Sequence, residues 1–158
     1  MALFLSTYVN KVDKKGRVSV PARFRAVLAG PGFNGVVLFP SFVSPAIEGC
    51  GMEFMLSLSR SIGAFDPFST RYDDFADAIL PEAHELPFDS EGRILLPEPL
   101  IAHAGLSDMA AFVGRGERFQ IWEPEAFKAR RAEARSRARE QRDALRRAPA
   151  PAGEEAGT

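Results

Sequence analysis

Two stretches decide the fold of this chain: Asp13-Lys-Lys-Gly-Arg-Val-Ser-Val-Pro21 and Asp89-Ser-Glu-Gly-Arg-Ile-Leu-Leu-Pro97. Both read Asp-x-x-Gly-Arg, then three residues with apolar ends, then Pro. The matching residues keep one register, 76 positions apart (89 − 13, 93 − 17, 97 − 21). An internal duplication of this kind dictates the architecture and predicts two copies of one structural unit.

Each copy predicts a β-hairpin followed by a short helix. Asp favours a turn because it accepts hydrogen bonds from the downstream backbone, and Gly adopts positive φ without a Cβ clash. Apolar residues before each Asp predict an incoming strand, and the run after Arg predicts the return strand. Pro21 and Pro97 suit the first turn of a helix, with Gly30 and Gly105 as its C-terminal stops. The helices are predicted over 22–29 and 98–104.

Each half continues with a second strand pair and a longer helix. The predicted strands are 35–39, 45–50, 110–113 and 118–122; the predicted helices are 52–62, a linker helix 70–79 with Ser69 or Thr70 as its cap, and 124–147. Because one hairpin alone is marginal in water, the two should interleave and bury their apolar faces together. We therefore predict an α+β fold with a small β-barrel of interleaved hairpins. The predicted segments are a first repeat (3–62), a linker helix (63–82), a second repeat (83–128) and a C-terminal helix with a disordered tail (129–158).

Composition favours a globular cytoplasmic protein without enzymatic chemistry. Hydrophobic residues make up 46% of the chain, and the formal net charge of −1 gives no overall sign of a nucleic-acid partner. The single cysteine, Cys50, predicts a reduced thiol, and no signal peptide or membrane span is evident. His84 and His103 lack metal-ligand spacing, and no phosphate-binding glycine motif occurs. We expect no metal, no cofactor and no small-molecule substrate.

The duplicated motif resembles the swapped hairpin of the AbrB and SpoVT superfamily. Two copies in one chain, with the segments Phe4-Leu-Ser-Thr-Tyr-Val-Asn10 and His103-Ala-Gly-Leu106, resemble the MraZ family over about residues 3–128. That resemblance implies a DNA-binding regulator of the division and cell-wall gene cluster, associated with the nucleoid, and a ring-shaped homo-oligomer. It places the family's Asp-x-x-x-Arg motif on residues 13 and 17 and on residues 89 and 93. The chain has Leu5 and Ser6 where many members carry a basic residue and a Gly.

Charge distinguishes the two copies. Copy one holds a basic cluster opposed by Asp13 alone, and copy two has Arg93 as its only base, opposed by Asp89, Glu91 and Glu98. Phosphate contacts require clustered Lys and Arg, so we assign DNA binding to copy one. The alternatives are a solvated surface hairpin and an ion pair of Asp13 and Arg17 that only fixes the loop. The predicted DNA-binding residues are Lys11, Lys14, Lys15, Arg17, Arg23 and Arg25, and the predicted motif residues are Asp13, Gly16, Asp89, Gly92 and Arg93.

One basic hairpin supports only weak binding, so the predicted partner is double-stranded DNA with tandem short repeats, bound by a homo-oligomer. The Arg-rich segment 124–147 favours a solvated helix over an additional DNA-binding arm. The alternative function is an oligomeric protein–protein interaction module or antitoxin-like protein. A long basic helix disfavours it, because a toxin-wrapping tail would be acidic and unfolded.

Overall fold

The computed structural model describes residues 2–146 and divides the chain into two compact units, Met1–Phe127 and Lys128–Thr158. The strands are β1 Thr7–Lys11, β2 Arg17–Ser19, β3 Gly35–Pro40, β4 Ile47–Cys50, β5 His84–Pro87, β6 Arg93–Leu95, β7 Met109–Gly114 and β8 Phe119–Trp122. The helices are α1 Ala22–Leu28, α2 Met52–Gly63, α3 Thr70–Ile79, α4 Glu98–Ala104 and α5 Pro124–Glu140, with short 3-10 turns at Leu80–Glu82 and Arg142–Ala144. The predicted α+β class is confirmed.

The strands form a six-stranded antiparallel sheet and a separate two-stranded ribbon. The order in the large sheet is β1-β7-β8-β4-β3-β5, and the ribbon pairs β2 with β6. At the centre of each of these two sheets, a strand of copy one pairs with the equivalent strand of copy two. Val18 lies opposite Ile94 in the ribbon, and Glu48 lies opposite Gln120 where β4 meets β8. The two halves are therefore related by a local pseudo-twofold axis that passes through both pairs.

The strands of the two motif hairpins pair between the copies, whereas β3 pairs with β4 and β7 pairs with β8 inside each copy. The incoming strand β1 pairs with β7, the incoming strand β5 pairs with β3, and the return strands pair with each other. Inside copy one, a single bridge joins Val12 to Val18. The predicted loops are correct, but no closed barrel forms among residues 2–146. The three-residue return strands form a ribbon of their own.

An aromatic core fixes the ribbon to the large sheet. Val18 and Ile94 are each 1% exposed and belong to the same buried cluster as Phe24 of α1. The ring of Phe24 lies 5.1 Å from that of Phe119 and 5.2 Å from that of Phe4, centroid to centroid. Burial of a side chain of this size contributes about 1.5–3 kcal/mol. The loops that flank the ribbon are thus held on a rigid base.

Helices α2 and α3 form a second layer with β3 and β4. Met55, Ile62 and Ile79 pack with Val37 and other apolar residues of these strands. The sequence left two caps open for α3, and the structure selects one: the Ser69 hydroxyl accepts a hydrogen bond from the Tyr72 amide at 3.2 Å. Segment 63–82 therefore holds a packed helix.

The helix ends agree with the sequence prediction at α4 and differ from it at α1 and at the C-terminal helix. Helix α4 is capped by Gly105, as predicted. Helix α1 ends at Leu28, and the chain continues through an extended Ala29 (φ −63°, ψ 135°), so Gly30 is not a left-handed cap of this helix. The C-terminal helix ends at Glu140, seven residues before the predicted end, and a 3-10 turn follows at Arg142–Ala144. The predicted disordered tail, from 148 onward, lies outside the described residues.

Cys50 is completely buried next to Glu48 on β4. Burial, reinforced by the Glu48 carboxylate, raises the pKa of its thiol to about 12. The group is therefore a neutral thiol at physiological pH, which agrees with the reduced thiol that the sequence predicts.

Candidate nucleic-acid interface

The first motif loop, residues 13–17 and here called loop one, holds Arg17 in place through the carboxylate of Asp13. One oxygen, Oδ1, accepts hydrogen bonds from the amides of Lys15 at 2.9 Å and Arg17 at 2.8 Å. The other, Oδ2, accepts one from Arg17 Nε at 2.7 Å. These bonds, led by that from the Arg17 amide, hold the pKa of Asp13 below its ordinary value. One carboxylate thus fixes both the turn and the direction of the guanidinium.

The second motif loop, residues 89–93 and here called loop two, repeats this geometry. Asp89 Oδ1 accepts from the amides of Glu91 and Arg93, both at 2.9 Å, and Oδ2 accepts from Arg93 Nε at 2.9 Å. The pKa of Asp89 is lowered for the same reason, first by the Arg93 amide. Gly16 and Gly92 close the two turns with φ of +88° and +75°, a region that favours glycine. The two motif loops therefore have the same hydrogen-bonded conformation.

Each loop is completed by the opposite copy. The Gly16 carbonyl accepts from the Leu96 amide at 2.9 Å, and the Gly92 carbonyl accepts from the Val20 amide at 3.1 Å. These two bonds exchange under the pseudo-twofold axis, since residues 16 and 20 correspond to 92 and 96. Each loop is therefore anchored by a hydrogen bond to the opposite copy.

Arg25 lies against the second loop. A Cβ added at Gly92 would meet its Cζ at 2.6 Å, and its Nε donates to the Val20 carbonyl at 3.1 Å. At the equivalent place, Ile101 of α4 lies beside Gly16. A predicted DNA-binding residue of copy one is therefore positioned at the loop of copy two. The 76-residue offset predicts that Arg25 corresponds to Ile101, but it does not predict that each of them packs on the loop of the other copy.

The ribbon presents one outward face. In an antiparallel pair, opposed residues share a face, and Arg17 lies opposite Leu95 while Ser19 lies opposite Arg93. Val18 and Ile94, between them, point into the core. Leu95 is 58% exposed and Ser19 is also exposed, although sequence analysis assigned neither to the site. A two-stranded ribbon of this kind has the width that the major groove of B-DNA admits.

The electrostatics of the two loops differ sharply. Loop one places the exposed Lys14 and Lys15 beside Arg17, with Asp13 as the acid that holds it. Loop two has Arg93 in contact with two acids, because Glu91 Oε2 lies 3.4 Å from Arg93 Nη2 in addition to the Asp89 bond. The hydrogen bond that Arg93 donates to Asp89 raises the pKa of Arg93. Only loop one combines the motif with surplus positive charge.

The remaining predicted cations lie on neighbouring elements. Lys11 ends β1 opposite Met109 and is exposed, and Arg23 is exposed in the first turn of α1. The structure thus groups Lys14, Lys15 and Arg17 on one loop and distributes the other three around the ribbon.

A buried polar network at the centre of the large sheet escaped sequence analysis. Gln120 Nε2 donates to Glu48 Oε2 at 2.9 Å, and Arg118 Nε donates to Glu48 Oε1 at 3.1 Å. Gln120 Oε1 accepts from Trp122 Nε1 at 2.8 Å and from Arg115 Nη1 at 2.9 Å. Glu48 and Gln120 occupy equivalent positions of the two copies, and their pairing fixes the register of β4 against β8. This network stabilises the scaffold and lies in a different sheet from the ribbon.

Comparison with known proteins identifies the family. The family described as "MraZ protein, putative antitoxin-like" matches residues 79–147. The transcriptional regulator MraZ of Pelagibacter ubique is 49% identical over 144 residues, which covers 91% of this chain and 93% of the relative. The protein of the same name from Rickettsia akari is 47% identical over 148 residues, covering 94% of this chain and 99% of its own. The chain belongs to the MraZ family.

The MraZ assignment agrees with the two Asp-x-x-Gly-Arg loops and confirms the resemblance drawn from them. The relatives are named as transcriptional regulators, so the family is one of regulators rather than of enzymes. The family position that is often glycine is Ser6 here, and it has a φ of 73°, in the region that glycine favours. Within residues 2–146, no helix is both long and apolar enough to cross a membrane.

Proposed function

We propose that this protein is a sequence-specific DNA-binding regulator that contacts DNA through loop one and the outward face of the β2–β6 ribbon. The observation that carries the proposal is the arrangement of Arg17, fixed by Asp13, beside the exposed Lys14 and Lys15. Phosphates attract such a cluster, and the release of counterions from the DNA makes binding salt-dependent.

Arg17 supplies the element that distinguishes bases. Arg17 donates to Asp13 through Nε. Its two terminal nitrogens, Nη1 and Nη2, form the fork that can contact DNA. A guanidinium fork fits the O6 and N7 atoms of guanine or a phosphate bidentately. Lys14 and Lys15 are compact charges that suit phosphates on either side. Because Asp13 also fixes the loop backbone, the fork is oriented before DNA arrives, which lowers the entropy cost of binding.

A single loop of this kind is too small for tight binding. Nonspecific affinity from a few cations corresponds to a Kd of about 10⁻⁴–10⁻⁶ M, whereas specific regulators reach about 10⁻⁸ M or better. Several loops in one homo-oligomer, such as a ring, make later contacts intramolecular and raise avidity by about 10²–10⁴. We therefore propose that the DNA carries tandem short repeats, spaced near one helical turn of about 10 bp.

The proposed target is the promoter-proximal DNA of the division and cell-wall gene cluster, bound by a cytoplasmic, nucleoid-associated protein. The experiment is a gel shift with the DNA upstream of the protein's own gene, against a scrambled duplex of equal length. DNA with one, two and three repeats should bind with stepwise increasing affinity. Displacing one repeat by half a helical turn should remove most of that gain.

The same titrations decide against the proposal if they fail. No shift of the upstream DNA at low salt contradicts DNA-binding regulation at this locus. Equal affinity for one and three repeats, or a monomer in sedimentation that still binds tightly, contradicts the avidity argument while leaving loop one as a DNA contact.

A further inference from the structure

Helix α5 separates its charges between two faces. Lys128, Arg131, Arg135 and Arg139 follow at intervals of three, four and four residues, so they lie along one face. All four line one shallow surface groove together with Ala132 and Ser136. The acidic residues that follow Lys128 within α5, Glu133 and Glu140, lie towards the other side. This charge separation is not visible in the net charge of the chain.

The opposite face of the helix is nearly neutral. Arg130 and Arg137 lie there with the two acids, and Arg137 forms an ion pair with Glu133 one turn away. The four basic positions span twelve residues, which is eleven steps of 1.5 Å or about 16 Å. Double-stranded DNA carries one charge per about 1.7 Å, so this length faces roughly nine or ten phosphate charges.

The chemistry of the basic face selects phosphates in a nucleic acid over a membrane. A helix that lies on a membrane needs a large apolar face opposite its basic one. Between Lys128 and Ala144 the sequence has no large apolar residue. Three of the four cations are arginines, whose planar forks bind phosphate oxygens bidentately.

We propose that the face formed by Lys128, Arg131, Arg135 and Arg139 is a second DNA-binding surface, which contacts the phosphate backbone without reading sequence. This inference rests on the proposed function for the duplex as its partner, but it uses a different element and a different kind of contact. It reverses the sequence-based preference for a merely solvated helix, because the segregation of charge to one face gives a solvated helix no advantage.

The test compares two full-chain double variants that remove equal charge. R135Q/R139Q removes two cations from the basic face, and R130Q/R137Q removes two from the opposite face. Gln keeps helix propensity similar, and circular dichroism checks the fold. Binding to the upstream DNA and to an unrelated duplex is measured by fluorescence anisotropy between 50 and 200 mM salt. A third variant, R135K/R139K, retains the charge.

Each lost phosphate contact lowers the slope of log affinity against log salt by about 0.9. We expect R135Q/R139Q to lower it by about 1.8 on both duplexes, so that wild type weakens about 12-fold more than this variant across the fourfold rise in salt. The ratio of the two affinities should not change. R130Q/R137Q should stay close to wild type, and R135K/R139K should retain the slope.

Equal slopes for the two Gln variants would overturn the proposal, whether both match wild type or both fall. The first result leaves α5 without a DNA contact, and the second reduces its effect to total charge. Arg17→Ala, measured in the same assay, tests the proposed function separately, because it should change the ratio between the two duplexes. A failure of α5 to bind and a failure of loop one to discriminate therefore give different results.

Discussion

Arg17→Ala and Arg93→Ala form a matched pair, because one guanidinium serves the same role in each copy. Both donate Nε to the Asp four residues earlier, at 2.7 and 2.9 Å, and both lie on the outward face of the ribbon. The two substitutions remove equivalent bonds to Asp, and the additional contact of Arg93 with the exposed Glu91 contributes little, so their urea-unfolding midpoints should shift by similar amounts. Their effects on DNA binding should differ greatly.

Loss of a bidentate guanidinium contact costs about 1–3 kcal/mol of discrimination, roughly 5- to 150-fold in affinity for each loop engaged. Arg17→Ala should weaken specific binding by at least this factor, since it also leaves the Asp13 carboxylate uncompensated near phosphate. Arg93→Ala should have little effect, because Asp89 and Glu91 already neutralise that guanidinium. Arg17→Lys should keep the salt dependence but lose discrimination.

The assay is anisotropy with the upstream duplex and its scrambled control, on variants shown to be folded. If Arg93→Ala weakens specific binding as much as Arg17→Ala, both loops contact DNA and the assignment to copy one is wrong. If neither does, the ribbon is not the reading surface.

Two further predictions concern the loops themselves. Gly16→Ala should destabilise the fold by about 1–2 kcal/mol because of its positive φ. Gly92→Ala should cost more, by about 0.5–1.5 kcal/mol, since its Cβ displaces Arg25 from the Val20 carbonyl; urea denaturation that ranks the two in the reverse order would contradict this packing. The lowered pKa of Asp13 and of Asp89 means that each ionised carboxylate stabilises the fold above its ordinary pKa of 3.8, a contribution lost as the pH falls below that value. The double variant Asp13→Asn/Asp89→Asn should therefore lose less stability than wild type between pH 7 and pH 3, and an equal loss would place the acid sensitivity elsewhere.

Local structure was predictable where a residue acts through its own backbone. The Asp-x-x-Gly turns, the helix starts after Pro21 and Pro97, and the bounds of α3 and α4 all follow from turn and capping chemistry. The α1 terminus was not, because Gly30 has the right residue type one position too late: the chain already leaves the helix at Ala29. Motif recognition also singled out Asp13 and Arg17, which the structure joins by a hydrogen bond.

Long-range pairing was beyond the sequence. Periodicity shows that Val18 and Ile94 face a core, but not that each return strand pairs with its counterpart instead of its own incoming strand. For the same reason Arg25 was grouped with copy one, although it packs on the loop of copy two. The Glu48–Gln120 contact could have been suspected from polar residues at equivalent positions of two apolar strands, once the repeat was aligned.

The crossing between the copies explains why loop two retains the motif without surplus positive charge. The Gly92 carbonyl accepts from Val20, at the end of β2, and the Leu96 amide donates to Gly16, inside loop one. A buried amide or carbonyl left without its partner costs about 1–3 kcal/mol, so a distorted second loop would move the first. Asp89 and Gly92 are therefore required for the geometry of Arg17, whatever loop two itself contacts. The charges around them carry no such requirement, because Ser90 and Glu91 are exposed and take no part in the exchanged bonds. Copy two can therefore keep the shape of the motif while copy one carries the positive charge, and the pseudo-twofold scaffold presents one basic loop from each chain.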